Sequence, residues 1–322
     1  MSNASASSSG MRTAPVRSGF WLVVMGAALW GVDPLFRIIL LESLTSSQIV
    51  LLEHVVLFLA AAPVLWRHRA ELKGIRLRQA GALLVVSWGG SALATILFTK
   101  ALSSGDLNAV LLLQKLQPVF AIGLAAVILK ERLPRNFGLL IVLALGGTYL
   151  LTFGWTVPFG HVNNFVSVGS LMAMGAAALW GGSTVMGRYL LGSLSYETVT
   201  SLRFILALPL LFALTTMEGA PWQVSGGLGA TSLVAVNLLL QALLPGLLSM
   251  LLYYKGLNTT KASFATLAEL SFPMTGILIN WIVYHQLVTM AQVVGFALIW
   301  TALFYISSQQ NRQAQAELKQ AA

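Results

Sequence analysis

The segments GAALWG (residues 26–31) and AAALWG (176–181) are nearly identical and lie 150 residues apart in a chain of 322 residues. A longer repeat follows, in which FTKALSSGDLNAVLLLQKLQPVF (98–120) recurs 155 residues later as YYKGLNTTKASFATLAELSFPMT (253–275). In this second alignment Pro118 matches Pro273. The chain therefore contains two copies of one unit, and the change of offset predicts a longer connection near residues 217–229.

Composition indicates a membrane protein before any motif is considered. Charged residues make up only 9% of the chain, against about 25% in soluble domains, and the hydrophobic fraction is 57%. So much apolar surface cannot be hidden in a soluble core of this size, which argues against a soluble enzyme, a disordered protein or a nucleic-acid binder. The sequence has no cysteine, so we expect no disulfide, thiolate metal site or cysteine nucleophile.

Ten apolar segments approach the length of about 20 residues that a helix needs to cross the hydrocarbon core. They cover residues 20–40, 47–66, 79–101, 106–129, 136–153, 165–189, 194–216, 230–256, 261–284 and 289–307. The first run is too long for a signal peptide and contains Asp33, Pro34 and Arg37. We therefore expect a disordered cytoplasmic tail at 1–18, five-helix repeats at 19–153 and 165–307, an outer connection at 154–164 and a cytoplasmic tail at 308–322.

Basic residues are distributed unevenly between the two ends of these spans. With the N-terminus inside, the inner loops and tails hold fifteen of the nineteen Lys and Arg residues, whereas the outer ends hold only Arg37 and Lys100. The positive-inside rule then predicts that both termini are cytoplasmic. The net charge of +9 is accounted for by anchoring to anionic lipid headgroups, so nucleic acid is not an expected partner.

Each copy holds five spans, and because five is odd the second copy must enter the membrane upside down. Inverted repeats of this kind build secondary transporters, with the substrate site near the midplane between the two halves. A duplication without a transport role is the alternative that the repeat by itself leaves open.

The chain also resembles a known family over residues 20–306. The resemblance is carried by ALWG in the first span of each copy and by LQPVFAIGLAAVILKERLPRNFGLLIVLALGGTYLL at 116–151, where Glu131 stands at a turn between two helices. These features are similar to the EamA type of the drug/metabolite transporter superfamily, and within it to the YddG-type exporters of aromatic and other amino acids. The resemblance implies an all-α polytopic membrane protein, with ten transmembrane helices in a 5+5 inverted-topology repeat, that exports small metabolites. The second copy departs from the pattern, because His285-Gln286 stands where Lys130-Glu131 stands in the first.

Glycine and proline recur at matching places in the two copies, in the third and eighth spans and in the fourth and ninth. The hinge candidates are Gly89, Gly90, Pro118, Pro245, Gly246 and Pro273. Proline removes a helical hydrogen bond and kinks the helix, and matched kinks would let helices open and close at one end. Ordinary transmembrane prolines and close packing through small residues are the alternative.

Five titratable side chains lie near the middle of their spans, namely Glu53, His54, Lys115, Arg203 and Glu269. A charge at mid-membrane costs about 3 kcal/mol or more, so each needs a partner. Glu53 matches Arg203 in the repeat, and Lys115 lies one residue from the match of Glu269, with the sign reversed both times. We expect the pairs Glu53–Lys115 and Arg203–Glu269, which either serve structure alone or face a cavity and hold an amino acid's charged groups or pass a proton. His54 is the candidate for proton coupling, with a hydrogen-bonded interior histidine as the alternative.

Three tryptophans, Trp30, Trp88 and Trp180, lie deep in their spans rather than in the interfacial belt. They either pack between helices or line a substrate cavity with flat apolar faces. The cavity is favoured because polar residues follow Trp30 and Trp180 closely. The further candidates for the cavity are Asp33, Gln114, Gln117, Thr184, Asn237 and Gln241.

The phosphate-binding loop GxxxxGK[ST] and the catalytic motifs HExxH and GxSxG are missing from the sequence. We therefore expect no ATP-driven pump, no enzyme, no cofactor and no metal. The sequence predicts a bacterial inner-membrane exporter of amino acids, aromatic or bulky neutral ones favoured within a broad range, that works by alternating access in the lipid bilayer as a monomer. The alternative is an exporter or exchanger of nucleotide sugars, drugs or other small metabolites with the same fold.

Overall fold

The computed structural model describes residues 17–104, 107–156, 167–222, 224 and 227–321, and every regular element in these ranges is a helix. The first half contains helices Arg17–Trp30, Asp33–Leu41, Ser46–Arg67, Arg69–Leu72, Leu77–Leu84, Val85–Leu93 (a π-helix), Ala94–Ser104, Leu107–Gln114, Gln117–Ile128 and Phe137–Phe153. The second half contains helices Val168–Leu190, Tyr196–Glu218, Gly227–Gln241, Ala242–Leu248 (a π-helix), Ser249–Leu257, Ala262–Ala268, Ser271–Ile282 and Met290–Ala321.

These helices form the ten predicted spans, so the prediction of an all-α polytopic fold is confirmed. Nine segments of the described chain are long and apolar enough to cross a bilayer, and the tenth is the 17-residue apolar helix Phe137–Phe153. Spans 1 to 10 are Gly19–Leu41, Ser46–Arg67, Leu77–Ala101, Ala109–Ile128, Phe137–Phe153, Val168–Leu190, Tyr196–Glu218, Gly227–Leu257, Ala262–Ile282 and Met290–Gln310. We call the side of the bundle where span 1 begins the first side, and the other the second side.

The two five-helix halves are inverted relative to each other, as span 2 and its repeat mate span 7 show. Span 2 begins where span 7 ends, because Thr45 Oγ1 donates to Glu218 at 3.1 Å and Gln48 donates to the Ala220 carbonyl at 3.2 Å. The mates therefore run antiparallel and pack along their length. Thr45 also caps span 2 in a reciprocal box with Gln48, which fixes where this helix starts.

The contact between span 1 and span 9 is repeated between their mates, span 6 and span 4. A Cβ on Gly31 in span 1 would lie 2.5 Å from the Phe272 carbonyl oxygen and 2.6 Å from the Thr275 Cβ in span 9. Its mate Gly181 in span 6 meets span 4 in the same way, 3.0 Å from the Gln117 carbonyl oxygen and 3.2 Å from the Phe120 Cβ. Gln117 and Phe120 are the repeat mates of Phe272 and Thr275 at the offset of 155, so the repeat found in sequence is also a symmetry of the packing.

Spans 5 and 10, which are also mates, cross at a pair of glycines. A Cβ on Gly147 would lie 2.7 Å from the Gly295 carbonyl oxygen, and one on Gly295 would lie 2.5 Å from the Gly147 carbonyl oxygen. Asn136 at the start of span 5 donates to the Tyr305 hydroxyl near the end of span 10, at 3.4 Å. This pair is therefore antiparallel too. Both spans bury the same repeat positions, which are Leu140, Ala144, Gly147 and Leu151 in span 5 and their mates Gly295, Ile299, Ala302 and Ile306 in span 10.

The hinge candidates all lie at irregular points of the helices. Gly89-Gly90 lies in the π-helix of span 3, and Pro245-Gly246 lies in the π-helix of span 8. Spans 4 and 9 are interrupted at 115–116 and at 269–270. Pro118 and Pro273 follow these interruptions, in the first turn of the next helix. Local π-turns and breaks lengthen or free backbone hydrogen bonds, but whether these points bend in function stays a prediction.

The core is not equally tight on the two sides. The largest cluster of buried apolar side chains is built mainly from segments near the first side, with Phe20, Leu190, Leu257 and Phe264 among its members. The second side has smaller, separate clusters. In span 9 every residue from Ala262 to Ser271 is buried, whereas in the remainder up to Ile282 only Met274 is. The bundle is closed on the first side and looser on the second.

Some of the predicted boundaries lie outside the described residues. These are the tail up to residue 16 and most of the connection at 154–164, of which only 154–156 are described. The last helix continues from span 10 to Ala321, so the segment 308–321 is helical. The assignment of the sides to cytoplasm and exterior stays a prediction.

Candidate functional site

Three charged side chains of the first half meet between spans 1 and 2. The Arg37 guanidinium binds the Asp33 carboxylate with two hydrogen bonds of 2.7 Å and lies 3.7 Å from the Glu53 carboxylate. Gln241 of span 8 also donates to Asp33. We call Asp33, Arg37 and Glu53 the charged trio, whose net charge with both carboxylates ionised is −1.

The trio corrects the predicted Glu53–Lys115 pair, which the structure does not contain. The sequence predicts Arg37 at the outer end of span 1, but the helix restarts at Asp33 after a break at 31–32. This restart places Asp33 and Arg37 one turn apart on a separate helix facing span 2, so Arg37 takes the position expected for Lys115.

Arg203 of span 7 is held by hydroxyl groups rather than by a carboxylate. Its Nε donates to Ser91 at 2.9 Å, and its Nη1 donates to Ser183 at 3.0 Å and to the Tyr254 hydroxyl at 2.9 Å. Arg203 is 8% exposed. Hydrogen bonds satisfy the guanidinium here without an ion pair.

Glu269 lies at the break in span 9 and accepts hydrogen bonds from three other spans. The donors are Gln117 Nε2 of span 4 at 2.5 Å, Thr184 Oγ1 of span 6 at 2.9 Å and the Tyr253 hydroxyl of span 8 at 2.6 Å. Gln117 itself follows the break in span 4. Glu269 therefore joins the interrupted regions of two repeat-related helices.

The predicted Arg203–Glu269 ion pair is wrong for this structure, although both residues belong to one network. Two neighbouring hydroxyls of span 6, on Ser183 and Thr184, and two neighbouring tyrosines of span 8 lie between them. Ser183 and Tyr254 bind Arg203, whereas their neighbours Thr184 and Tyr253 bind Glu269. A layer of hydroxyl groups therefore separates the two charges.

The trio and the Arg203 cluster occupy equivalent places in the two halves. Asp33 is the mate of Ser183, and Glu53 is the mate of Arg203. Arg203 lies against the π-helix of span 3 through Ser91, and a Cβ on Gly246 in the π-helix of span 8 would lie 3.4 Å from Glu53 Oε1. Because the halves are inverted, the trio lies toward the second side and the Arg203 cluster toward the first.

The charged trio is more exposed to solvent than the equivalent residues of the second half. The side chains of Asp33, Arg37 and Glu53 are 27%, 23% and 12% exposed, whereas the residues Arg203 and Ser183 are 8% and 3% exposed. Lipid cannot solvate a carboxylate or a guanidinium, so we expect the partly exposed trio to border a polar cavity on the looser second side.

Lys115 lies at the break in span 4 and is partly exposed. Its ammonium nitrogen is 4.7 Å from the centroid of the Phe272 ring, a cation–π contact. The backbone carbonyl of Phe272 packs against Gly31, next to the break in span 1. No carboxylate among the described residues forms an ion pair with Lys115.

Two of the three deep tryptophans form equivalent aromatic pairs. Trp30 packs against Tyr253 at 5.2 Å between ring centroids, and Trp180 packs against Phe98 at 5.4 Å. Tyr253 and Phe98 are themselves repeat mates. Trp30 and Trp180 are both half-buried, so packing and lining a cavity are compatible for them. Trp88 differs, since it is 39% exposed and its indole donates to the Leu206 carbonyl of span 7 at 2.8 Å.

Three further candidates lie on spans 2, 4 and 8. Asn237 donates to the Leu233 carbonyl of its own helix at 2.8 Å. Gln114, the mate of Glu269, is 8% exposed at the end of its helix. His54 is buried beside Phe204, and its Nδ1 lies 2.8 Å from the Val50 carbonyl oxygen. Among the described groups His54 Nε2 has no hydrogen-bond partner, so its role in proton coupling stays a prediction.

Carboxylates also connect the two halves outside the membrane spans, on the first side. Glu71 accepts hydrogen bonds from the Ser195 backbone N–H at 2.9 Å and from the Ser195 hydroxyl at 3.1 Å, at the start of span 7. Partial burial raises the pKa of Glu71, but the bonds from Ser195 and Thr198 outweigh it, and the pKa lies below its ordinary value. Glu131 binds the start of span 9 in a similar way.

Sequence reasoning missed Arg37 and Tyr253 as parts of the site. The i, i+4 spacing of Asp33 and Arg37 was a usable signal, because oppositely charged residues at that spacing share a helix face. For Tyr253 the signal was its match to Phe98 in the repeat, next to the mates Trp30 and Trp180.

An inverted ten-span bundle with charged and hydrogen-bonding side chains between its two halves is the architecture of a secondary transporter. Comparison with known proteins agrees, since residues 17–153 and 167–308 match the EamA-like transporter family. The chain belongs to this family, which confirms the family predicted from the sequence motifs.

Individual relatives are also transporters. The chain is 31% identical over 298 residues to the riboflavin transporter ImpX of Fusobacterium nucleatum, covering 90% of this chain and 97% of that protein. It is 27% identical over 203 residues to the uncharacterized transporter YwfM of Bacillus subtilis, covering 62% and 64% of the two chains. A crystal structure with 18% identity superposes with a TM-score of 0.73 over 92% of this chain and 98% of the other, which shows the fold alone.

Proposed function

We propose that this protein is a secondary transporter for a planar aromatic metabolite, with riboflavin as the first candidate. The observation that carries the proposal is the match to a riboflavin transporter over 97% of that protein's length. Riboflavin is an uncharged tricyclic ring with a polyhydroxyl tail, so its carrier needs aromatic faces together with hydrogen-bonding groups, and little net charge.

The cavity offers both kinds of surface. The Trp30–Tyr253 pair provides aromatic faces just before the break in span 1, and the Phe272 ring provides another beside the Lys115 ammonium. Asp33 and Glu53 are partly exposed carboxylates, and carboxylates accept hydrogen bonds from hydroxyl groups well. These contacts support a ring bound against the aromatic residues and a hydroxylated tail directed toward the trio.

Alternating access follows from the inverted halves and their unequal packing. The tight first side and looser second side are typical of one of two related states, and exchanging the conformations of the two halves would give the other. The π-helices and breaks are the places where the helices would bend. If the first side is cytoplasmic, as the basic residues predict, the structure represents the form open to the exterior of an inner-membrane protein.

Export of amino acids, aromatic or bulky neutral ones first, is the second candidate, and one observation favours it. Lys115 is a cation without an ion pair among the described carboxylates, and the trio carries a net charge of −1. A zwitterion would satisfy both, with its carboxylate at Lys115 and its ammonium at the trio. Such an arrangement would suit an amino-acid exporter of the YddG type, which the sequence resembles.

Counterflow into liposomes separates the two candidates. Purified protein is tested with riboflavin, Phe, Trp, Met, Glu and a sugar nucleotide, with and without a pH gradient. We expect riboflavin counterflow; transport of amino acids without riboflavin would replace the first proposal by the second. Transport of the sugar nucleotide alone would contradict both.

The variant Lys115→Gln sharpens this test, with the loop variant Lys73→Gln as the matched control. If amino acids are the substrate, losing a charged hydrogen bond of about 1.5–3 kcal/mol weakens their apparent affinity by about tenfold or more. If riboflavin is the substrate, the uncharged glutamine can still donate to a ring oxygen, and the affinity changes by less than about tenfold. Lys73→Gln should change neither.

A further inference from the structure

We infer that Glu131 and Gln286 are alternating latches, each closing one side of the transporter by binding the first turn of a span in the other half. Glu131 follows span 4, in the loop on the first side. Its carboxylate accepts hydrogen bonds from the backbone N–H groups of Ala262 and Ser263 at 2.8 and 3.0 Å and from the Ser263 hydroxyl at 2.6 Å. These residues begin span 9, so one side chain fixes the tightly packed segment to the first half.

Gln286 is the equivalent residue after span 9, and its loop has the same backbone conformation. Lys130 and His285, which precede the two residues, both have φ of 53°. The Glu131 N–H binds the Ala125 carbonyl at 3.2 Å, and the Gln286 N–H binds the Asn280 carbonyl at 3.0 Å. The turn that aims Glu131 at span 9 is therefore present in both halves, on opposite sides of the membrane.

The two turns differ in what their side chains do. Gln286 is exposed, and its side chain makes no hydrogen bond in the described part of the chain. Its target by symmetry is the start of the helix at Leu107, since Ala262 lies 155 residues further on. This difference matches the packing, because the side with the engaged latch is closed and the side with the free one is loose. The inference rests on the proposed alternating access but not on the choice of substrate.

Glutamate and glutamine are not equally strong in this role. A carboxylate has two acceptor oxygens and a charge that favours the N-terminus of a helix. A carboxamide has one acceptor oxygen and no charge. The first side therefore has the stronger latch, which agrees with the tighter packing on that side.

Cysteine labelling tests the inference in a chain that contains no native cysteine. The reporters are Leu267→Cys in span 9, which is fully buried near the first side, and its mate Leu112→Cys in span 4, which is partly exposed near the second. Each is labelled in detergent without substrate, in the background of Glu131→Gln, of Gln286→Glu, or of the control Glu42→Gln, an exposed carboxylate.

Weakening the first latch (Glu131→Gln) and strengthening the second (Gln286→Glu) should both favour the state that is open on the first side. Loss of a helix cap of typical strength corresponds to about fivefold. We therefore expect labelling at Leu267→Cys to rise about fivefold, and labelling at Leu112→Cys to fall, with both Glu131→Gln and Gln286→Glu. The control should change neither rate.

The two reporters separate a latch from a merely structural contact. If Glu131→Gln only destabilised the fold, both rates would rise, and Gln286→Glu would have no effect at Leu267→Cys. That pattern, or unchanged rates in both variants, would overturn the inference. Because no substrate is added, these results do not depend on whether riboflavin or an amino acid is carried.

Discussion

Replacing Arg37 by methionine should destabilise the protein more than replacing Lys115, although both are cations inside the membrane. Arg37 is shared by two carboxylates, at 2.7 Å from Asp33 and 3.7 Å from Glu53. Its removal leaves both without a cationic partner, and breaking a buried pair in this way costs about 3–5 kcal/mol. Lys115 contacts only an aromatic ring among the described groups, so its loss leaves no carboxylate unpaired.

The expected magnitude is smaller than the full cost because the three side chains are 12–27% exposed rather than fully buried. Solvent screening reduces the loss to about 2–3 kcal/mol. For a chain of this size that corresponds to a fall in melting temperature of about 5 °C.

Tryptophan fluorescence during heating in detergent measures this difference, since the chain has nine tryptophans. The triple variant Arg37→Met, Asp33→Asn, Glu53→Gln removes the charges together and should recover most of the lost stability. A melting temperature of Arg37→Met equal to that of the unmodified protein, or a fall of the same size for Lys115→Met, would refute the reasoning.

Two further predictions concern the first side and the repeated glycine contact. Because hydrogen bonds to Ser195 hold the pKa of Glu71 below its ordinary value, their contribution to stability is complete above about pH 4.3 and is lost as the pH falls through the lower folded-state pKa. The melting temperature should therefore fall more steeply below about pH 4.3 in the unmodified protein than in Glu71→Gln, and parallel curves would contradict this. Gly31→Val and Gly181→Val should each lower the stability of the protein by about 1–3 kcal/mol through overpacking, since the added carbons would lie 2.5 and 2.9 Å from backbone atoms. The yield of monodisperse purified protein measures this loss, and Gly123→Val is the control because a Cβ there meets nothing within 4 Å. An equal fall in yield for all three variants would count against the repeated contact.

The number, type and order of the spans could be predicted from the sequence because each property depends on local composition. Apolar length predicts a span, and an odd number of spans in each copy predicts inversion. The repeat offsets even predicted which residues would be equivalent, as the Gly31 and Gly181 contacts confirm.

The partners of the charged residues could not be predicted in the same way. The break at 31–32 turns Asp33 and Arg37 toward span 2, and nothing in the spacing of Glu53 and Lys115 indicates this. Arg203 is satisfied by three hydroxyl groups from three different spans, an arrangement that exists only after the helices have packed. The reversal of charge between repeat mates indicates which positions carry polar side chains. It does not indicate which of these side chains are in contact with each other.

The crossing of spans 5 and 10 has a consequence for the origin of the fold. Spans 5 and 10 bury equivalent positions against each other, so one helix surface serves as both partners of an antiparallel contact. Such self-complementary contacts are what join identical subunits about a two-fold axis. A separate five-helix protein with this surface could form the same contact with a second molecule inserted the opposite way, so fusing two such genes would have required no new interface.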